Sequence, residues 1–252
     1  MKKVLITICG RAGSKGFLNK NLKVFCGKPL VYYTLSSIDL FKEQRKDLEI
    51  DVCLNTDSEP LVQLVLEKYP DVTVISRPEE LCGDTVAKMA VFQHSLRFME
   101  ERNNTKYNYL IDLDITSPLR QAQDVAGTFA EKEAREDLDL VFSVTHARRT
   151  PYMNMAKVVD DHVERVIDHH FTARQQTPPV FDLNASIYVF ERRFLVENET
   201  AFLWDGKCGV YIMYDTGILD IDSEEDFFLM EVVGNYLYEN MDGFKQVRDL
   251  IR

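Results

Sequence analysis

Short apolar runs alternate along the chain with amphipathic ones, and this alternation limits the possible fold more than any other feature. Strand-like runs occupy residues 4–9, 50–55, 72–76, 109–113 and 140–144. Helical spacing covers 30–41, with Pro29 well placed at its start, then 58–69, 85–101 and 122–136. A β-α-β-α order predicts an α/β protein with a parallel sheet, right-handed crossovers and ligand sites at the carboxyl ends of the strands. The rhythm breaks near residue 145. Residues 146–180 are rich in Arg, His and Pro and read as strands or loops that leave the main sheet. Strands return at 186–190 and 210–214, and a last helix runs over 224–238 behind a Ser223 cap. No repeat or low-complexity linker divides the 252 residues. The expectation is one domain, 1–252, with 146–182 as an excursion. That excursion reads equally as a surface insertion or as a subdomain that packs against a second copy through Tyr152, Met153, Met155 and Val158.

The first strand runs into Gly10-Arg11-Ala12-Gly13-Ser14-Lys15-Gly16, followed by Asn19-Lys20-Asn21. Glycines in a strand-to-loop turn let backbone N–H groups approach a ligand, and Arg11, Lys15 and Lys20 add positive charge. Residues 1–38 hold seven Lys/Arg and no Asp or Glu, whereas the whole chain carries −11. A basic island on an acidic protein points to a phosphate site and away from a nucleic-acid partner, which would need an extended basic face. The loop lacks the GxxxxGK[ST] of a P-loop, and its glycine spacing is not that of a dinucleotide fingerprint. A triphosphate explains it better than a merely solvated lysine face.

Asp220-Ile221-Asp222 is the second constellation. Two carboxylates two apart in extended chain point the same way and can share one hard cation; acidic residues favouring the following helix N-terminus are the alternative. Beside a phosphate loop, Mg²⁺ is the better reading. Asp114-Ile115-Thr116-Ser117-Pro118 ends a central strand and turns, as Arg77-Pro78 and Asp84-Thr85 follow the third strand; Asp84 alone reads as a helix cap. Polar clusters at 171–176 and 182–186 suit a polyhydroxylated or carboxylated substrate. His169-His170 reads as a surface pair, since adjacent residues on a strand point apart. Five cysteines at scattered spacings fit buried thiols in a reduced compartment. With no 18-residue apolar run, the expectation is a soluble cytoplasmic protein without a membrane partner.

Taken together and in order, these segments resemble the CMP-sialic acid synthetase (acylneuraminate cytidylyltransferase) family. The matching pieces are 11–16 with Lys20-Asn21, Ser76-Arg77-Pro78-Glu79-Glu80-Leu81 with Gly83-Asp84-Thr85, Thr116-Ser117-Pro118-Leu119-Arg120, Asn184-Ala185-Ser186-Ile187-Tyr188 and Asp220-Ile221-Asp222. Cys9-Gly10-Arg11 after Thr7-Ile8, Ile111-Asp112-Leu113-Asp114, Ala147-Arg148-Arg149 and Thr172-Ala173-Arg174-Gln175 are most similar to the bacterial CMP-legionaminic acid synthetases. The resemblance implies a Rossmann-like (GT-A-like) three-layer α/β/α nucleotidyltransferase with a mostly parallel sheet, Mg²⁺ dependence, and a homodimer whose excursion reaches the partner's active site. It implies CMP transfer from CTP to the anomeric hydroxyl of a nonulosonic acid, a nine-carbon acidic sugar, with release of pyrophosphate. Carried over residue by residue, Arg11, Ser14, Lys15, Lys20 and Asn21 would hold CTP, with Arg77 and Asp84 on the cytidine side. Asp114, Asn184, Arg174 and Gln175 would meet the sugar, and Asp220 and Asp222 the metal. Arg11, Lys20 and Asp222 would act in catalysis, with Asp222 orienting the attacking hydroxyl.

One position departs from the pattern. Sialic acid synthetases carry glutamine then proline before Thr-Ser-Pro, where this chain has Asp114 and Ile115. An anion in place of an amide favours a sugar decorated differently from N-acetylneuraminate. The competing readings are N-acetylneuraminate itself, a sugar-1-phosphate substrate, and a non-catalytic nucleotide sensor, which would have no need of the acidic pair.

Overall fold

A computed structural model describes residues 1–13, 17–83, 85–216 and 220–252. In chain order its elements begin β1 (Lys2–Gly10), β2 (Val24–Phe25), β3 (Lys28–Pro29), α1 (Leu30–Gln44), β4 (Leu48–Thr56), α2 (Glu59–Lys68), β5 (Thr73–Ser76), α3 (Lys88–Asn103) and β6 (Tyr109–Leu113). There follow α4 (Asp124–Ala134), β7 (Leu140–His146), β8 (Ala156–Val159), β9 (His162–Arg165), β10 (Phe181–Glu191), α5 (Arg192–Glu197), β11 (Cys208–Ile212), α6 (Glu224–Asn240) and α7 (Asp242–Asp249).

Among the described residues, seven strands form one sheet in the order β11-β7-β10-β6-β1-β4-β5. β1 pairs in parallel with β4 and β6, β4 with β5, and β7 with β11. β10 alone runs against its neighbours, antiparallel to both β6 and β7. The register therefore sets Gly10 beside Thr56, and Thr56 beside Ser76, at one edge of the sheet. That edge is where the loop after β1 begins.

Alternation along β1 explains the three layers. Val4, Ile6 and Ile8 enter a core with residues of α1, α2, α4, α6 and α7, whereas Leu5 points to the opposite core with residues of α3 and α5. Central parallel strands buried on both faces need unbroken apolar runs, which is why 4–6 and 110–111 are wholly buried. Ser223 caps α6 by accepting from Asp226 N at 3.1 Å, while Asp226 Oδ2 accepts from Ser223 N at 2.9 Å.

Several elements differ from the sequence reading, which contained neither the β2–β3 pair nor α5. α3 starts at Lys88 rather than near residue 85, α7 follows α6 after a single residue, and the strand expected at 186–190 extends back to Phe181. Its reversal relative to the sheet follows from the excursion. Residues 147–180 return the chain beside β7, with Ala147 N donating to Val180 O at 3.1 Å, so β10 runs back along the strand the chain has just left. Within the excursion β8 and β9 form a hairpin pairing Val158 with Val163, which are 77% and 69% exposed.

Buried Asp124, at the start of α4, has its carboxyl pushed up to about 6, chiefly by burial and against a 2.6 Å hydrogen bond from Gln121 N. The native state thus keeps a proton that the unfolded chain releases near pH 4. Stability from this group is full below that pH and is lost as pH rises through about 6, a change of about 3 kcal/mol. Asp124→Asn keeps an acceptor for Gln121 and has no charge to bury. Its stability relative to wild type, measured by urea unfolding, should climb by about that amount from pH 4 to 7; parallel pH curves would refute this.

Candidate active site

The loop after β1 crosses the sheet edge as Arg11-Ala12-Gly13, with Gly13 at φ +70° and Ala12 N donating to Asp57 Oδ1 at 2.7 Å. Its continuation, Ser14-Lys15-Gly16, lies outside the described residues, as does Asp84. Asn19, at φ 55°, then starts a single helical turn over Lys20–Leu22. Gly10 is required by close packing. A Cβ there would lie 2.6 Å from Leu61 Cδ2 and 3.2 Å from Asn21 Nδ2, displacing the side chain that donates to Arg11 O at 3.3 Å.

Lys20 connects the two constellations that are 200 residues apart. Its Nζ donates to Asp222 Oδ1 at 2.9 Å and to Ile221 O at 2.7 Å. Ile221 is fully buried and anchors the acidic segment, while its neighbours diverge. The Asp222 side chain stays exposed while it pairs with a largely covered Lys20, whereas Asp220 lines a cavity. Asp220 Oδ1 is buried and has no hydrogen-bond partner among the described residues. Burial and the nearby Asp114 charge push its carboxyl above the usual range.

The cavity holds about 250 Å³. Its lining combines Arg11, Lys20, Asn21, Arg77, Lys88, Asp114, Thr116 and Asp220 with Cys9, Leu81, Gly83, Val86 and Val91. Arg77 is buried at the carboxyl end of β5 and held by Asn55, donating from Nε to Asn55 Oδ1 at 3.0 Å and from Nη2 to Asn55 O at 2.7 Å. Asn55 is fixed in turn by a 2.9 Å bond to Ser95. Such a backing holds a guanidinium in one orientation before any ligand arrives.

Beneath this lies a cluster that the sequence reading missed. Lys88 Nζ sits 2.9 Å from Asp112 Oδ2 and 2.6 Å from Asp114 Oδ2. Asp112 is wholly buried in β6 and accepts from Thr7 Oγ1 at 2.9 Å. Burial raises the Asp112 carboxyl. Burial opposes the Asp114 charge as well, but Lys88 and the two donors of Thr116 outweigh it and hold Asp114 at about 2. Burial also raises the Cys9 thiol well above its ordinary value, with the Asp112 charge adding to it, so this cavity cysteine is no thiolate nucleophile.

Among the remaining expected residues, Arg174 donates to Ala147 O at 2.8 Å and Gln175 lies exposed beside it in the excursion. Asn184 Oδ1 accepts from Ser143 Oγ at 2.6 Å, where the β10–β7 register shifts. None of the three lines the cavity. Arg11, Lys20, Asn21, Arg77, Asp114 and Asp220 do, and Asp222 joins them through Lys20.

Comparison with known proteins identifies the family and the fold. The chain is 35% identical to the post-translational flagellin modification protein B of Campylobacter coli, over 92% of its length and 94% of that protein's. It is 34% identical, with the same coverage, to a CMP-N,N'-diacetyllegionaminic acid synthase of Campylobacter jejuni. Its fold matches CMP:2-keto-3-deoxy-manno-octonic acid synthetase complexed with CTP at a TM-score of 0.64 and 14% identity, covering 92% of this chain and 98% of that one. The cytidylyltransferase family model matches residues 5–249, and the chain belongs to that family.

Proposed function

We propose that this chain transfers CMP from CTP to the anomeric hydroxyl of a nonulosonic acid of the legionaminic type, releasing pyrophosphate. The observation that carries the reading is the 2.9 Å contact of Lys20 with Asp222, which closes a basic loop and an acidic segment around one cavity. The 34% identity to a CMP-N,N'-diacetyllegionaminic acid synthase supports the choice of sugar.

Attack on the α-phosphorus must bring an anionic sugar to an anionic nucleotide, so neutralising charge matters more than covalent assistance. Arg11 and Lys20 hold the triphosphate and stabilise the charge that gathers on departing pyrophosphate. Asn21 meets the ribose and phosphates, and Arg77 the cytidine side. Asp222, already fixed to Lys20, orients the hydroxyl. Asp220 would hold Mg²⁺, with Asp222 joining it only on exchanging its contact with Lys20, and the buried Oδ1 of Asp220, unpartnered among the described residues, fits a hard cation. The metal would neutralise phosphate charge when bound.

We further read the protein as a cytoplasmic homodimer. Val158, Val163 and Met155 are exposed on the excursion and would be covered by a second copy. Among the described residues no helix is long and apolar enough to cross a membrane.

The direct test supplies CTP with free legionaminate, neuraminate and pseudaminate derivatives, and separately with sugar 1-phosphates. Pyrophosphate release with a free nonulosonic acid is expected; turnover of sugar phosphates alone would reject the proposal. Arg174→Ala should raise the KM for sugar severalfold and leave that for CTP unchanged. An effect confined to CTP would remove Arg174 from the sugar subsite.

A further inference from the structure

Lys88 breaks a local rule. It occupies the first position of α3, whose first turn holds no acidic residue and whose N-cap, Ala87, supplies no side-chain bond. A cation there opposes the helix dipole. The position is tolerable because Asp112 and Asp114 lie 2.9 and 2.6 Å from Nζ. Burying Asp112 wholly is itself costly without a partner. Residues that violate local preference and compensate one another are expected where a site demands them.

The hydrogen-bonding capacity of the pair shows what it can accept. An ammonium has three donors, and two of those on Lys88 face the carboxylates. An ionised carboxylate has about four acceptor positions. Asp114 uses three of them, on Thr116 N, Thr116 Oγ1 and Lys88 Nζ. Among the described residues, Lys88 Nζ and Asp114 Oδ2 therefore each keep an unused hydrogen-bonding position, and both residues line the cavity. Asp112 and Asp114 already compensate the Lys88 charge, so this ammonium offers no net positive charge to a sugar carboxylate or a phosphate. A neutral group with an N–H beside a C=O fits both unused positions. The rings of Tyr188 and Phe92 lie 5.5 and 5.6 Å from Nζ, and Val86 and Val91 line the adjoining wall. That surface suits a small alkyl group better than water.

We infer that the Lys88–Asp114 ion pair acts as a unit to recognise an acylamino substituent of the sugar: Asp114 accepts its N–H, Lys88 donates to its C=O, and the apolar wall takes the acyl methyl. The inference rests on the nonulosonic acid reading above. It assigns Lys88 to sugar selection, and it replaces a free Asp114 anion with a paired one.

The test compares kcat/KM, with saturating CTP and Mg²⁺, for a 5-acetamido nonulosonic acid and for its counterpart with hydroxyl at that position. Wild type should prefer the acetamido sugar by at least about tenfold, since a hydroxyl cannot match the remaining donor and acceptor together. Asp114→Asn and Lys88→Met should each bring the ratio close to one, Lys88→Arg should restore most of it, and KM for CTP should move less than about twofold. A ratio unchanged in both variants, an equal loss on both sugars, or a loss confined to CTP would overturn the assignment. Thermal unfolding of Asp114→Asn, the nearly isosteric variant, shows whether a loss comes from folding. Wild-type failure to use any nonulosonic acid would instead reject the function, so the two failures are distinct.

Discussion

Lys20→Ala should lower kcat by about 10²–10³ while the protein keeps its fold, by analogy with the loss of one preorganised donor to developing charge. The lysine is well placed for so large an effect. Its side chain is only 17% exposed, and two oxygens of the 221–222 segment hold Nζ at the edge of the cavity. A cation fixed in this way needs no reorganisation when charge moves to the leaving pyrophosphate. The surrounding backbone does not depend on it, since the helical turn at Lys20–Leu22 closes on main-chain bonds such as Leu22 N to Asn19 O at 2.9 Å. Single-turnover kinetics should show the defect in the chemical step, with an unchanged unfolding midpoint. Near-normal turnover would remove Lys20 from the mechanism.

Asp220→Asn should move stability and activity in opposite directions. Burial and Asp114 make the ionised Asp220 carboxylate unfavourable in the folded state, which is what its raised pKa expresses. A raised folded-state pKa means stability lost as pH rises, so at neutral pH the amide should give the higher melting temperature without ligand. Activity should fall by about 10²–10³, because the amide is a poor ligand for Mg²⁺ and leaves phosphate charge less neutralised. A binding readout separates the causes: Mg²⁺ should increase the thermal stabilisation by CTP in wild type and add little in the variant. Lower stability together with undiminished Mg²⁺ dependence would make Asp220 structural. The functional carboxylate, on this account, is kept at a cost to the fold.

The strands of the sheet could be read from the sequence because parallel strands buried on both faces leave unbroken apolar runs, as at 4–6 and 110–111. The direction of β10 could not, since an apolar run carries no sign of which way its partner runs. The basic loop and the acidic segment were each legible, and so was their convergence at one strand edge. The Lys88 cluster was not. A lysine within a helical pattern reads as a solvated face, and its partners come from β6, more than 20 residues away in sequence. Asp114 lines the cavity, but its charge looked unpaired for the same reason. The expected sugar contacts at Arg174, Gln175 and Asn184 lie apart from the cavity, the first two in the excursion and Asn184 in β10.

The antiparallel placement of β10 has a consequence for how such enzymes diversify. Phe181 and His146 pair directly across β10 and β7, so everything between them is, from the sheet's point of view, the tip of a hairpin. Lengthening a tip costs closure entropy only logarithmically, and no core strand must move to accommodate it. The segment beyond this junction can therefore be lengthened, trimmed or exchanged while the parallel strands stay as they are.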